Sequence, residues 1–230
     1  MKKIIMYAVL DEEQPFIDAW AREHDVEIKS VAERLTPETV GLAKGFDGIN
    51  VQQTIPLDPS IYPTLKSFGI KQITARMVGF DFIDLKLARE NGLTVTNVPA
   101  YSPRAIAEMG LTQALRLVRK LGYYDARMDQ LDFRWSGLES TEIYNLTVGV
   151  IGAGHIGGAT AQLYAALGAK VLAVDPVHHA ELEPYLTYTD LTTVLKESDI
   201  VTLHTPLNAE TANMIDAAAL KQMKKTAYLI

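Results

Sequence analysis

The sequence contains no cysteine, and this absence excludes several kinds of protein chemistry. Neither a disulfide-bonded scaffold nor a thiolate nucleophile can exist without that residue. The same absence is typical of proteins from a reducing compartment. We therefore expect the chain in the cytoplasm.

Basic residues are also scarce relative to acidic ones. The chain has 22 Lys and Arg residues against 28 Asp and Glu, which gives a formal charge of −6 at pH 7 and a pI near 5.4. Binding to the phosphate backbone of a nucleic acid favours a clustered basic face. We expect no nucleic-acid partner.

Long hydrophobic runs are missing as well. The apolar run at residues 4–10 is too short for a signal peptide core or a membrane span, and three acidic residues follow it. We interpret it as a first β-strand and expect no association with a membrane. His178 and His179 have no further ligands at a suitable spacing, so we expect no metal site.

A glycine motif lies between two apolar runs in the second half of the chain. Residues 148–151 read as a strand, Gly152, Gly154 and Gly157 follow, and a helical pattern runs over residues 156–167. This is G-x-G-x-x-G in its strand–turn–helix context. The glycines allow a tight turn, close approach of a pyrophosphate to the backbone, and packing of helix on sheet.

The second apolar run, residues 170–174, ends in an acid, Asp175. A carboxylate at this place accepts hydrogen bonds from the adenosine ribose and repels a 2′-phosphate, so NAD is the expected cofactor. A glycine-rich turn in another kind of α/β protein would explain the glycines. It would not explain an acidic residue directly after the second apolar run.

Strand-like and helical patterns alternate through the first hundred residues, which predicts a parallel sheet with helices on both faces. Two prolines in residues 97–103 then fix an extended connector. We expect a separate α/β domain at residues 1–100, a connector with interdomain or interface helices at 101–146, and the first part of a dinucleotide-binding domain at 147–230.

Apolar spacing predicts which helix faces are buried. Phe16 and Trp20 share one face of a predicted helix near residues 12–23, and we expect both, with Phe68, in the core. The helix after the connector should bury a stripe between two domains or against a partner subunit. Its members are Ile106, Gly110, Leu111, Ala114, Leu117, Val118 and Leu121.

The last two predicted strands of the chain belong to the second sheet. Residues 200–203 read as its third strand and residues 227–230 as its fourth. We expect the fourth strand beside residues 148–151.

Four segments together resemble the NAD-dependent D-2-hydroxyacid dehydrogenases, most closely the D-lactate and D-hydroxyisocaproate dehydrogenases of lactic acid bacteria. They are residues 76–81, residues 97–103, residues 148–157 with Asp175, and residues 203–206 with Thr211. The resemblance implies a flavodoxin-like substrate domain and a Rossmann domain that is incomplete at its C-terminal side. It also implies NAD, a small 2-oxo or 2-hydroxy acid as substrate, reduction of pyruvate to D-lactate, and a homodimer.

The resemblance also assigns residues to the two sites. Substrate contacts fall on Val78, Gly79 and Tyr101. Cofactor contacts fall on Gly152, Gly154, His155, Ile156, Gly157, Asp175, Thr205, Pro206 and Thr211. Two alternative roles stay open for these segments. Tyr101 can be a packing residue of the connector, and His204 can have a purely structural role.

The chain departs from the family pattern in two ways. Met77 and Phe82 stand where many relatives carry asparagine. The family's catalytic arginine, glutamate and histidine are expected after Ile230, so none falls within residues 1–230. We therefore expect this stretch alone to be inactive. The alternative is a non-catalytic NAD-binding module that acts as a sensor or binds a partner.

Overall fold

The computed structural model describes all residues, Met1–Ile230, which divide into two units at Met1–Tyr101 and Ser102–Ile230. Each unit contains one five-stranded sheet, and every strand pair in both sheets is parallel. None of the helices combines the length and the hydropathy needed to cross a bilayer.

The sheet of the first unit has the strand order β2-β1-β3-β4-β5. This is the flavodoxin-like order that the family resemblance implies. Its strands are β1 (Lys2–Met6), β2 (Val26–Ser30), β3 (Gly48–Val51), β4 (Gln72–Ala75) and β5 (Thr94–Thr96). Its helices are α1 (Gln14–His24), α2 (Ile61–Ser67) and α3 (Leu85–Glu90), with a 3-10 turn at Val40–Ala43.

One face of this sheet forms the core of the unit. Ile5, Ile49 and Ile73, on three adjacent strands, belong to the same buried cluster as Ile61 and Leu65 of α2, and all five are at most 2% exposed. Burying one such side chain stabilises the fold by roughly 1.5–3 kcal/mol. Phe68 packs against this cluster from its edge.

The other face is open, and the prediction that Phe16 and Trp20 are buried is wrong. No residue of α1 is buried, and the two aromatic side chains are 77% and 45% exposed. They line a groove of about 690 Å³ together with Ile4 and Ile28 of the sheet. The apolar spacing identified the correct face of α1, but spacing does not reveal whether anything covers that face.

The sheet of the second unit has the order β10-β9-β6-β7-β8, which is the Rossmann order 3-2-1-4-5 read from β8 to β10. Its strands are β6 (Thr147–Ile151), β7 (Lys170–Val174), β8 (Thr187–Tyr188), β9 (Ile200–Leu203) and β10 (Tyr228–Leu229). Its helices are α4 (Pro103–Val118), α5 (Leu121–Met128), α6 (His155–Ala166), α7 (Leu191–Glu197) and α8 (Ala217–Gln222).

The strand positions at the end of the chain require a correction. β10 pairs with β9 and not with β6, so it is the fifth strand of this sheet and lies at an edge. The third strand along the chain is β8, which pairs with β7. A two-residue strand is too short to produce a recognisable pattern.

α4 packs on α6 within the second unit. Ala114 and Val118 of α4 share a buried cluster with Ala161 and Tyr164 of α6. The predicted stripe is only partly buried, because three of its larger members remain more than 40% exposed: Ile106, Leu117 and Leu121.

Candidate functional site

The glycine turn follows β6 and contains a residue in the left-handed region. Gly152 has φ +89°, and its amide donates to the carbonyl oxygen of Val174 at 2.9 Å. A Cβ at this position would lie 2.8 Å from the carbonyl oxygen of His204. Both the backbone angle and the close neighbour therefore require glycine.

Gly157 and Gly154 are glycines for different reasons. A Cβ on Gly157, in the first turn of α6, would overlap the carbonyl oxygen of Gly152. A Cβ on Gly154 would meet no atom within 4 Å. Protein packing therefore explains Gly157 but not Gly154, and the open space over Gly154 fits a pyrophosphate in close approach to the backbone.

The N-terminus of α6 presents free backbone amides. The helix begins at His155, its N-cap is Gly154, and no side chain caps it. The first amide to donate back into the turn is that of Gly158, to the carbonyl oxygen of Gly154 at 2.7 Å. The amides of His155 and Ile156 point out of the helix end, where the helix dipole also favours an anion.

Asp175 joins the end of β7 to the glycine turn. Its Oδ2 accepts from the amide of Ala153 at 2.6 Å and its Oδ1 from the amide of Val177 at 2.7 Å. A carboxylate has about four acceptor positions. Asp175 therefore holds the turn in place and keeps capacity for the hydroxyl groups of a ribose.

The loop after β9 closes the site on the other side of β6. The amide of His204 donates to the carbonyl oxygen of Ile151 at 2.8 Å. Burial lowers the pKa of the His204 side chain to about 4, and its Nε2 lies 3.0 Å from the hydroxyl of Thr202. His204 is thus neutral and partly buried, which supports a structural role.

Thr205, Pro206 and Thr211 lie in this loop. A methyl group of Thr205 would be 3.0 Å from a Cβ on Gly152, so Thr205 lies directly beside the glycine turn. Thr211 donates its hydroxyl to the carbonyl oxygen of Pro206 and accepts from the amide of Asn208 at 3.0 Å. These bonds fix the loop at the point where the strand order reverses, which is where ligands bind in open α/β sheets.

The predicted substrate loop follows β4 in the first unit. The side-chain amide of Asn97 donates to the carbonyl oxygen of Val78 at 2.8 Å. The backbone amide of Val98 donates to the carbonyl oxygen of Met77 at 3.2 Å. The segment after β5 therefore fixes the loop that carries Val78 and Gly79. Tyr101 ends this unit with 66% of its surface exposed, which leaves its ring open to a ligand.

Arg76 has a role that the sequence analysis missed. Its Nε and Nη2 donate to the two carboxylate oxygens of Glu13 at 2.9 and 3.2 Å, and Nη2 also donates to the carbonyl oxygen of Ala8 at 3.1 Å. Burial by itself raises the pKa of the Glu13 carboxyl. The hydrogen bonds from Arg76 and from the Leu10 amide, together with the positive charge of Arg76, outweigh this effect, so the pKa of Glu13 is lowered. Arg76 also donates to the side-chain oxygen of Asn50. A charged residue directly after a buried strand was the available signal.

The glycine turn, Asp175 and the Thr205 loop thus converge at one sheet edge, and known proteins share the chain's sequence and fold. The D-2-hydroxyacid dehydrogenase (NAD(+)) of Clostridioides difficile is 47% identical over 99% of this chain and 70% of its own length. The NAD-complexed D-isomer specific 2-hydroxyacid dehydrogenase of Lactobacillus delbrueckii ssp. bulgaricus is 52% identical, with a TM-score of 0.78 over 99% of this chain and 70% of that one.

A third similar protein is a D-lactate dehydrogenase from Aquifex aeolicus, solved with NAD and lactic acid. It is 33% identical, with a TM-score of 0.90 over 98% of this chain and 67% of that one. The family model described as the NAD binding domain of D-isomer specific 2-hydroxyacid dehydrogenases matches residues 111–230. The protein therefore belongs to the D-isomer specific 2-hydroxyacid dehydrogenases, a family of NAD-dependent oxidoreductases.

Proposed function

We propose that this protein is a cytoplasmic enzyme that reduces pyruvate to D-lactate with NADH. The observation that carries the proposal is the turn at Gly152 and Gly154, where open space above a helix N-terminus lies beside the ribose acceptor Asp175. A similar structure is that of a D-lactate dehydrogenase with NAD and lactic acid. In the reaction the C2 carbon of the 2-oxo acid receives a hydride from NADH, and its carbonyl oxygen receives a proton.

On the cofactor side, the residues of this chain bind and orient. The amides of His155 and Ile156 bind the pyrophosphate, Gly154 leaves the space through which it reaches them, and Gly157 lets α6 pack against the turn. Asp175 accepts from the adenosine ribose hydroxyls. Thr205, Pro206 and Thr211 hold the loop against the cofactor. When bound, NADH supplies the hydride.

On the substrate side, the backbone amides of Val78 and Gly79 bind the carboxylate of the 2-oxo acid. Amide donors suit that role because charge-assisted hydrogen bonds to a carboxylate are strong and directional. Tyr101 contacts the substrate with its hydroxyl. Arg76 positions the loop, since it ties the end of β4 to the ends of β1 and β3 through Ala8 and Asn50.

The test is a spectrophotometric assay of the full-length protein with NADH and pyruvate, followed by chiral analysis of the product. We expect NADH oxidation and D-lactate. L-lactate would contradict the proposal. Tight NADH binding without oxidation by any 2-oxo acid would favour a non-catalytic NAD-binding module.

We also propose that the protein is a homodimer. Exposed apolar side chains concentrate in α5 and the loop after it, and such patches are typical of protein–protein interfaces. They are Leu121, Tyr123, Met128, Leu131, Phe133 and Trp135. A second copy of the chain is the simplest partner, because most soluble oligomers are symmetric homodimers.

Sedimentation velocity of variants tests the dimer. Trp135 is 67% exposed, so its replacement removes little buried surface from the monomer. Trp135→Asp should therefore leave folding intact and produce monomers. Phe16→Ser is the control, since Phe16 is an aromatic residue of the first unit with 77% of its surface exposed. If Phe16→Ser dissociates the protein and Trp135→Asp does not, the interface has been assigned to the wrong surface.

A further inference from the structure

A second cleft lies at the carboxyl edge of the first sheet, next to the proposed substrate loop. It has a volume of about 390 Å³, and the residues after four adjacent strands line it. Ala8 follows β1, Arg34 follows β2, Gln52 follows β3 and Met77 follows β4. The sheet order reverses at β1, so this cleft is at the switch point of the sheet, where ligands bind in doubly wound folds.

The backbone beneath Arg34 is held on three sides. The carbonyl oxygen of Glu33 accepts from the amide of Ala8 at 2.9 Å, and that of Arg34 accepts from the hydroxyl of Thr39 at 2.6 Å. Leu35 donates its amide to the side chain of Gln53 at 3.1 Å. The position of Arg34 is therefore set by the fold.

Gln53 is a buried clamp between the two loops that form the cleft. It is only 6% exposed, and its Nε2 donates to the carbonyl oxygens of Leu35 and Ile55 at 3.4 and 3.0 Å. A buried amide with satisfied hydrogen bonds fixes its surroundings. Gln52, its neighbour, lines the same cleft as Arg34.

The side chain of Arg34 is free to bind a ligand. It is exposed and takes part in none of the ion pairs of the structure. None of the residues that line the cleft is acidic, and Gln52, Gln53 and Thr54 add polar groups. An unpaired guanidinium with neighbouring amides is suited to a carboxylate, which it can bind through two parallel hydrogen bonds.

We propose that Arg34 and Gln52 form a specificity site for 2-oxo acids that carry a second carboxylate at the far end of the side chain. The inference rests on the proposed function, because it takes the first carboxylate to be held at Val78 and Gly79, directly after Met77 of the cleft. With 2-oxoglutarate, C2 receives a hydride from NADH and the carbonyl oxygen receives a proton from solvent, which yields D-2-hydroxyglutarate and NAD⁺.

The experiment compares three substrates of the full-length enzyme under saturating NADH. They are pyruvate, 2-oxoglutarate, and 5-methyl-2-oxohexanoate, which replaces the second carboxylate by an uncharged group of the same shape. We expect kcat/KM for 2-oxoglutarate to exceed that for the uncharged analogue. Arg34→Leu should lower kcat/KM for 2-oxoglutarate by about 10- to 100-fold, the usual effect of one charge-assisted hydrogen-bonded pair, and leave pyruvate within about twofold.

Two further variants separate charge from structure. Arg34→Lys should recover part of the 2-oxoglutarate activity, because it keeps the charge without the planar fork. Arg89→Leu, which removes an exposed arginine of α3, should behave as wild type with all three substrates. Both results support the specificity site.

The outcomes also separate this inference from the proposed function. Reduction of pyruvate with no preference for 2-oxoglutarate over the analogue, or no effect of Arg34→Leu, overturns the specificity site alone. An equal loss with pyruvate in Arg34→Leu overturns it too, since Arg34 would then bind the carboxylate common to all substrates. If no 2-oxo acid is reduced, both proposals fail.

Discussion

The carboxylate of Asp175 accepts a hydrogen bond from the amide of Ala153, with 2.6 Å between Oδ2 and the nitrogen. The bond connects the end of β7 to the middle of the glycine turn. The residue proposed to recognise the ribose therefore also shapes the turn proposed to bind the pyrophosphate. Asp175 variants should change both properties, and the choice of variant separates them.

Replacement of Asp175 should change cofactor choice. Asp175→Asn keeps a carbonyl acceptor for the Ala153 amide but removes the charge that repels a 2′-phosphate, which is worth several kcal/mol for closely placed like charges. We expect the ratio of kcat/KM for NADH to that for NADPH to fall by about tenfold or more. Asp175→Ala should show the same shift with an added loss of unfolding free energy. Equal efficiency of the wild type with both cofactors would contradict the assignment.

Two glycines of the motif should respond in opposite ways. Gly154→Ser adds a side chain where nothing lies within 4 Å and where serine is a good N-cap, so the free energy of unfolding should stay within about 0.5 kcal/mol. Its NADH affinity should fall by roughly tenfold, about 1.4 kcal/mol, because the side chain occupies the pyrophosphate space. Gly157→Ala overlaps Gly152 and should cost about 1–3 kcal/mol of stability. Urea unfolding and NADH titration measure the two effects.

The sequence predicted the parts of the fold that local patterns determine. The strand–glycine–helix unit at β6 and α6 and the acid at position 175 depend on motifs, and the parallel sheet of the first unit depends on strand–helix alternation that persists along the chain. The prediction that the apolar face of α1 is buried was wrong, because burial depends on what covers Phe16 and Trp20. The predicted position of β10 was wrong because the two-residue strand β8 leaves no recognisable pattern in the sequence.

The site residues divide in the same way. The contacts implied by the resemblance fall on backbone turns, whose glycines are visible in the sequence. The clamp of Gln53 on Leu35 and the contacts of Arg76 with Glu13 join residues far apart along the chain. The sheet order brings them together, because β2, β1, β3 and β4 are consecutive in the sheet. No sequence spacing predicts such a pair.

Tyr101 provides a test of the substrate side. Tyr101→Phe removes one hydroxyl, and with it a hydrogen bond worth about 0.5–1.5 kcal/mol net. We expect the KM for pyruvate to rise by about 2- to 10-fold with little change in NADH binding. Tyr144→Phe is a matched control, since Tyr144 is similarly exposed in the second unit and lies outside the proposed dimer surface. An unchanged KM in Tyr101→Phe would return the residue to a packing role in the connector.

His204 should make the stability of the protein depend on pH in the mildly acidic range. Burial lowers its pKa to about 4, whereas the unfolded chain binds a proton near pH 6.5. Between these values the unfolded state binds more protons than the folded state, so stability is full above about pH 6.5 and falls as the pH decreases toward about 4, by no more than about 1.4 kcal/mol per pH unit. His204→Gln replaces the imidazole by a neutral group that can still bond to Thr202. We expect the difference in unfolding free energy between wild type and variant to shrink steadily as the pH is lowered through this window. Urea unfolding at half-unit pH steps measures it, and parallel curves for the two proteins would show that His204 takes up its proton in the folded state as readily as in the unfolded one.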